Sequence, residues 1–331
     1  MKILFHGFCH GHIDSLYRQV LQMPGQLEIA GCIEENREMK KVAAERLGIC
    51  LDGGSYEDWL KKDIDIVAIG DKYGQRGATA IKALQSGKHV ISDKPLCTRI
   101  EELEEIEKLV KEKGLKVSCM LSLRYESSIC RARELLREGR LGKIQNISFT
   151  GQHCMSYGRR PSWYFEEGMH GGTINDLAIH GIDIVRDITG LEIEKVDGVR
   201  TWNAYAVKDP EFKDCAVFMV RLSNGAELLA DVSYSAPSQV FSMPTYWNFK
   251  IWCERGLVTF HLTDNKVTVY EEGIPGPQYY EGVSDERDYL TEFLKEIRDG
   301  SDRLTQSVIA STRATLLLQK AADEQSEILD R

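Results

Sequence analysis

Lys88-His89-Val90-Ile91-Ser92-Asp93-Lys94-Pro95 decides how the chain is read. Its apolar run lies between Gly87 and Pro95 and is too short for a helix, so it predicts a buried strand. Pro95 biases Lys94 towards extended backbone and holds it at the strand's exit, ahead of the charged helix predicted from Ile100. In an open parallel sheet, ligands bind outside the carboxyl ends of the strands. A lysine at such an exit can reach a bound molecule. Taken alone, the tripeptide reads as an ordinary solvated lysine, because exposed lysines are the usual case.

Working outward, the flanking sequence alternates strands and helices. Ile3-Leu4-Phe5, then Gly7-Phe8-Cys9-His10-Gly11-His12, then apolar Ile13, Leu16, Val20 and Leu21 read as strand, tight loop and helix. A dinucleotide fold places its pyrophosphate on the N–H groups of such a loop. The fingerprint is incomplete, because Cys9 and His12 stand where glycines would. A second strand, Leu27 to Ile33, ends at Glu34-Glu35-Asn36. An acid there can bind adenine-ribose hydroxyls and repel a 2′-phosphate, which favours NAD over NADP. It can equally open the next helix, where acids suit the macrodipole. Helices over Arg37–Leu47, Tyr56–Lys61, Ala78–Ser86 and Ile100–Lys113 are predicted. They are interleaved with strands Ile64–Ile69 (ending at Gly70-Asp71-Lys72), Val90–Ser92 and Lys116–Leu121, which implies a doubly wound parallel sheet.

The 331 residues suit two domains, divided here as 1–121 and 122–331. Hydrophobic content of 42% and charged content of 28% describe a soluble protein. A net charge of -9, with no basic block, argues against nucleic acid. No run reaches transmembrane length, and Ile3-Leu4-Phe5 is too short for a signal peptide's apolar region. The nine cysteines form no CxxC pair, so reduced thiols, a cytoplasmic location and no metal site are expected.

In the second half, Arg124–Arg137 reads as a helix and Ile144–His153 as a strand. Gly158-Arg159-Arg160-Pro161-Ser162-Trp163-Tyr164-Phe165 is aromatic and cationic, suited either to stacking on a sugar ring or to packing beneath a helix. Ile174, Leu177, Ala178, Gly181, Ile182, Val185 and Ile188 form an apolar stripe. Asp176, His180, Asp183 and Asp187 fall opposite, with Asp176 and His180 four apart. Thr173 and Asp176 loosely fit a capping box, which would leave His180 facing water. Strands follow at Val199–Ala206, Ala216–Leu222, Ala226–Tyr234, Trp247–Cys253, Leu257–Leu262 and Lys266–Tyr270, with helices at Asp285–Arg298 and Thr305–Ile328. They predict an α+β domain on an open, mostly antiparallel sheet. Val217 and Met219 alternate with Phe218, Val220 and Leu222, so both faces carry apolar residues and a homodimer or homotetramer through this sheet is expected.

These pieces in order resemble the Gfo/Idh/MocA (glucose–fructose oxidoreductase / inositol dehydrogenase) family. The matching text is Ala83-Leu84-Gln85-Ser86-Gly87-Lys88-His89-Val90 with Asp93-Lys94-Pro95, Ser122-Leu123-Arg124-Tyr125, Gly139-Arg140-Leu141-Gly142 and Gly171 to Asp183. The resemblance implies NAD(P)-dependent hydride transfer with a secondary alcohol or ketone of a sugar or polyol. It implies catalysis by Lys94, Asp176 and His180, with Lys94 beside the nicotinamide and the other two facing it. Cofactor contacts fall on Gly7 to Ile13, Glu34, Gly70, Asp71, Arg76, Asp93 and Lys94. Substrate contacts fall on Lys94, Arg124, Trp163, Tyr164, Asp176 and His180. Cys9, His12, Asp93 (for the usual glutamate) and Arg76 (for the usual histidine) depart from the pattern. Two rival readings are an NAD-dependent glycoside hydrolase working by transient oxidation and a non-catalytic sugar sensor.

Overall fold

The computed structural model describes residues 1–329; residues 330–331, placed in the second domain by the sequence division, lie outside it. Two compact units emerge, Met1–Met120 with Glu166–Gly171 and Tyr289–Thr312, and Leu121–Phe165 with Gly172–Asp288 and residues 313–329.

In the first unit, strands and helices alternate: β1 (Lys2–His6), α1 (His12–Leu21), β2 (Glu28–Ile33), α2 (Arg37–Leu47), α3 (Tyr56–Leu60), β3 (Ile66–Ile69), α4 (Tyr73–Gln85), β4 (His89–Ser92), α5 (Ile100–Lys113) and β5 (Val117–Cys119). The strands pair in parallel in the order β2-β1-β3-β4-β5, and the residues of β3 and β4 are almost entirely buried. The doubly wound sheet expected from the alternation is present.

The fourth helix starts at Tyr73, five residues ahead of the predicted Ala78, because its glycines serve close contacts. A Cβ on Gly74 would strike the Gly168 carbonyl, and one on Gly77 would strike Glu102 of α5. Two segments that the sequence division leaves with the second domain belong to this unit. Gly74 N donates to Met169 O at 2.8 Å, Ser118 Oγ to Tyr289 O at 3.4 Å, and Val117 N to Thr305 Oγ1 at 3.3 Å.

In the second unit, α6 (Ser127–Arg137) follows a 3-10 turn at Ser122–Tyr125, where Arg124 had been expected to open the helix. Then come β6 (Ile144–Cys154), α7 (Ile179–Thr189), β7 (Ile193–Trp202), β8 (Cys215–Leu222), β9 (Glu227–Ala236), β10 (Asn248–Cys253), β11 (Gly256–His261), β12 (Lys266–Glu271) and β13 (Gln278–Glu281). Two further helices, α8 (Tyr289–Asp299) and α9 (Arg303–Leu329), end the described chain. The eight strands run in the order β13-β12-β11-β10-β6-β9-β8-β7, antiparallel except for β6 with β9. The sequence reading lacks β13 and carries β7 to Ala206. That strand stops at Trp202 because Asp214 accepts N–H bonds from Ala204, Tyr205 and Ala206, folding the chain away.

One sheet face packs on helices. Gly181 of α7 lies so near β6 that a Cβ would strike the Phe149 ring. Trp247 is fully buried across Gly151, near the rings of Phe149 and Phe249. Val217, Met219, Leu229 and Trp252 stand exposed on the sheet. Among the described residues, no helix is long and apolar enough to cross a membrane.

The contact at Gly151 yields a test, since a Cβ there would lie 2.5 Å from the Trp247 ring. Gly151→Ala should destabilise the protein by about 1–3 kcal/mol, as overpacking does. Urea unfolding measures it, and an unchanged midpoint would refute the packing described.

Candidate active site

The β1–α1 loop is shaped by what surrounds Gly7. Its φ is +77°, and a Cβ would lie 2.6 Å from Asp71 N, so only glycine fits. Cys9 N donates to Gly70 O at 2.9 Å, tying this loop to the end of β3. Glu34 closes it from β2, its carboxylate accepting from Phe8 N at 2.8 Å and Asn36 N at 2.9 Å. Glu34 is therefore a brace of this loop, and Asn36, not an acid, caps α2. Asp71 turns inward, with Thr79 Oγ1 at 2.6 Å and His6 Nδ1 at 3.1 Å. Burial, then Glu34, pushes the Cys9 thiol up to about 12, making it inert.

The loop fits a dinucleotide. Among the described residues, no side chain caps α1, and a Cβ on Gly11 would meet nothing within 4 Å. The open space beside Gly11, at the start of α1, is where a phosphate can be received.

Asp93 is the centre of the first unit's site. Its carboxylate is fully buried and receives Arg76 Nη2 at 2.8 Å, His10 Nδ1 at 2.8 Å, His12 Nδ1 at 3.0 Å and the Lys94 N–H at 2.7 Å. Burial alone would raise its pKa, but Arg76, then the histidines, hold it well below the ordinary carboxylate value. Arg76, also fully buried, donates further to Asp71 O at 2.9 Å and to Lys94 O. With no exposed surface, Arg76 is bonded to Asp93 and the Lys94 backbone. Lys94 is 4% exposed and precedes a cis bond to Pro95. Its Nζ lies 6.0 Å from the Tyr73 ring centre, and that ring also packs 5.6 Å from His10 and 5.7 Å from His170. Tyr73 and His170 escape sequence reasoning because neither belongs to a spacing motif.

In the second unit, Asp176 lies in a π-helical turn, Ile174–Ala178, immediately ahead of α7. Such turns recur at functional sites. The turn is held by Gln319 Oε1, which accepts from Ile174 N at 3.1 Å, and by Thr315 Oγ1, which donates to Asn175 Oδ1 at 2.9 Å. Thr173 forms no capping box; its hydroxyl donates to Lys213 O instead. Asp176 accepts a hydrogen bond from the buried Tyr234 hydroxyl, whose pKa burial and then Asp176 push well up. Tyr234 is a further candidate that sequence reasoning missed, since it reads as one more strand residue. The guanidinium of Arg160 stacks 4.7 Å from the Tyr164 ring and 4.9 Å from that of Tyr234, and Trp163 packs on Tyr164 at 4.4 Å.

His180 is 7% exposed and lies edge-on to Trp247 at 5.7 Å, so its side of α7 is no water-facing surface. Asp183 is buried too, in a two-pronged pair with Arg124. Burial would lower the Arg124 pKa, but Asp183 holds it above its ordinary value. Arg124 therefore braces α7 from the 3-10 turn.

Residues 1–121 match the family described as an oxidoreductase family with an NAD-binding Rossmann fold, and residues 129–259 match the GFO/IDH/MocA C-terminal domain. The chain belongs to the Gfo/Idh/MocA oxidoreductase family. A levoglucosan dehydrogenase from Pseudarthrobacter phenanthrenivorans is 28% identical over 257 residues, 69% of this chain and 63% of that protein. The scyllo-inositol 2-dehydrogenase (NAD(+)) of Bacillus subtilis is 28% identical over 184 residues, 55% of this chain and 52% of that one. Both matches thus span less than two thirds of the relative's length. Among solved structures, levoglucosan dehydrogenase in complex with NADH and levoglucosan superposes with a TM-score of 0.79 at 20% identity, covering 98% of this chain and 97% of that one. An NAD-binding oxidoreductase from Klebsiella pneumoniae gives 0.77 at 16% identity, covering 98% and 97%. These likenesses carry the fold.

Burial pushes the His10 imidazole down to about 4, outweighing the nearby Asp93. Its unfolded counterpart titrates at the ordinary 6.5, so its share of stability is full above pH 6.5 and is lost as pH falls towards 4. Imidazole NMR should show His10 neutral at pH 5.5; a midpoint above 6 would contradict this environment.

Proposed function

We propose that the protein is an NAD(H)-dependent dehydrogenase acting on a secondary alcohol or ketone of a sugar, polyol or related small polar molecule. The observation that carries this reading is Lys94, nearly buried at the exit of β4 within a Rossmann unit of an oxidoreductase family. Bound nicotinamide supplies or receives the hydride. The chain's part is to bind, orient and handle the proton. The loop amides from His10 to Ile13 hold the pyrophosphate, and Glu34 takes the ribose hydroxyls while disfavouring a 2′-phosphate. Lys94 polarises the substrate oxygen. His180 accepts the hydroxyl proton, as an imidazole can near neutral pH. Asp176, fixed by Tyr234, orients that imidazole or binds a neighbouring hydroxyl. The Arg160, Trp163 and Tyr164 cluster suits a sugar face.

The location is cytoplasmic, consistent with nine free cysteines. The exposed Val217, Met219, Leu229 and Trp252 support a homo-oligomer formed through the eight-stranded sheet. Light scattering should find a dimer or larger species at micromolar concentration; a monomer would refute this.

A panel of sugars and polyols followed by NADH absorbance tests the activity. One of them should give steady NADH, and glycoside cleavage without net NADH would overturn the reading. Lys94→Ala and His180→Ala should each lower turnover by about two to four orders of magnitude, with NAD binding retained. Full activity in His180→Ala would transfer the base role to Lys94. NAD should bind more tightly than NADP, and equal dissociation constants would remove Glu34 from the ribose site.

A further inference from the structure

Two of the residues that depart from the family pattern, His12 and Asp93, meet at one point together with His10. The loop presents His10 and His12 with one residue between them, their rings edge to face with centres 4.3 Å apart. Both Nδ1 atoms address Asp93, 81 and 83 residues away in the chain, at 3.0 and 2.8 Å. The donor atoms of all three lie within 4.8 Å of one another. We propose that His10, His12 and Asp93 form a binding site for a divalent transition-metal ion such as Zn2+ or Co2+.

The donor set selects the ion. Two imidazoles and one carboxylate suit zinc and its neighbours, whereas magnesium and calcium take oxygen ligands. Metal bonds of about 2 Å require the donors to close to roughly 3.3 Å of one another, a small contraction for side chains already aimed at one place. Arg76 donates to Oδ2, the oxygen that His10 Nδ1 also addresses, and fixes the carboxylate as hydrogen-bonding groups do around metal-bound carboxylates. Its positive charge opposes a second cation, so the expected dissociation constant is micromolar. The His12 side chain is 51% exposed, which gives the ion a route from solvent and leaves room for a water ligand. The site occupies the place of the fingerprint's last glycine, and an ion there would tie the β1–α1 loop to the Lys94 turn.

The inference does not rest on the dehydrogenase reading, because the probe is the metal alone. Tag-free, chelator-stripped protein is titrated with Co2+ by visible absorption and with Zn2+ by calorimetry. One equivalent of Co2+ should bind with the spectrum of nitrogen and oxygen ligands, without the charge-transfer band of a thiolate. Affinity should fall at least tenfold in His10→Ala and in His12→Ala, and stay unchanged in His261→Ala. Zn2+ should raise the Tm of the parent protein but not of His12→Ala. If the alanine variants fold poorly, His12→Gln, altered at a half-exposed position, decides the matter by the same tenfold criterion. Absence of stoichiometric binding, a thiolate spectrum, or parent-like affinity in the folded histidine variants would overturn the proposal and leave a hydrogen-bonded cluster only.

Discussion

A carboxylate and a guanidinium, both sealed from solvent, meet at 2.8 Å between Asp93 and Arg76. Removing either partner would strand a buried charge, a loss of about 3–5 kcal/mol. The ends of three strands depend on this pair. Arg76 reaches the carbonyls of Asp71 after β3 and Lys94 after β4, while Asp93 takes His10 and His12 from the loop after β1. The carboxyl edge of the parallel sheet, where such folds bind ligands, is thereby knotted at one carboxylate. Lys94 inherits its place from that knot, through its own N–H and C=O.

The second unit solves the same problem differently. Asp176 accepts from a phenol, and the π-helical turn that carries it is pinned by Gln319 and Thr315 of α9. A buried carboxyl group needs hydrogen-bond donors in place of water. Tyr234 supplies one, and its ring in turn supports Arg160.

Much of this was legible in the sequence, for physical reasons. Short apolar runs alternating with amphipathic helices leave few solutions besides a doubly wound sheet, and Val217 to Leu222 alternates as a strand between two apolar faces must. Lys94, Asp176 and His180 stood out through motif text. What stayed hidden was pairing across the fold. His12 looked like damage to a glycine loop, and Arg76 and Asp93 like isolated departures, because their partners lie far away in the chain. Thr173 looked like a cap until the structure gave its hydroxyl to Lys213. Asp183, read as a polar-face residue, proved buried in a pair with Arg124. Helical periodicity separates faces but does not say what each face meets.

The account depends most on the Asp93–Arg76 knot, and a double-mutant cycle measures it directly. Unfolding free energies are compared for the parent protein, Arg76→Met, Asp93→Asn and the double variant. Each single change should cost about 3–5 kcal/mol, and the double should cost clearly less than their sum, because the second change strands no further charge. Additive losses, or single variants within about 0.5 kcal/mol of the parent, would contradict the account.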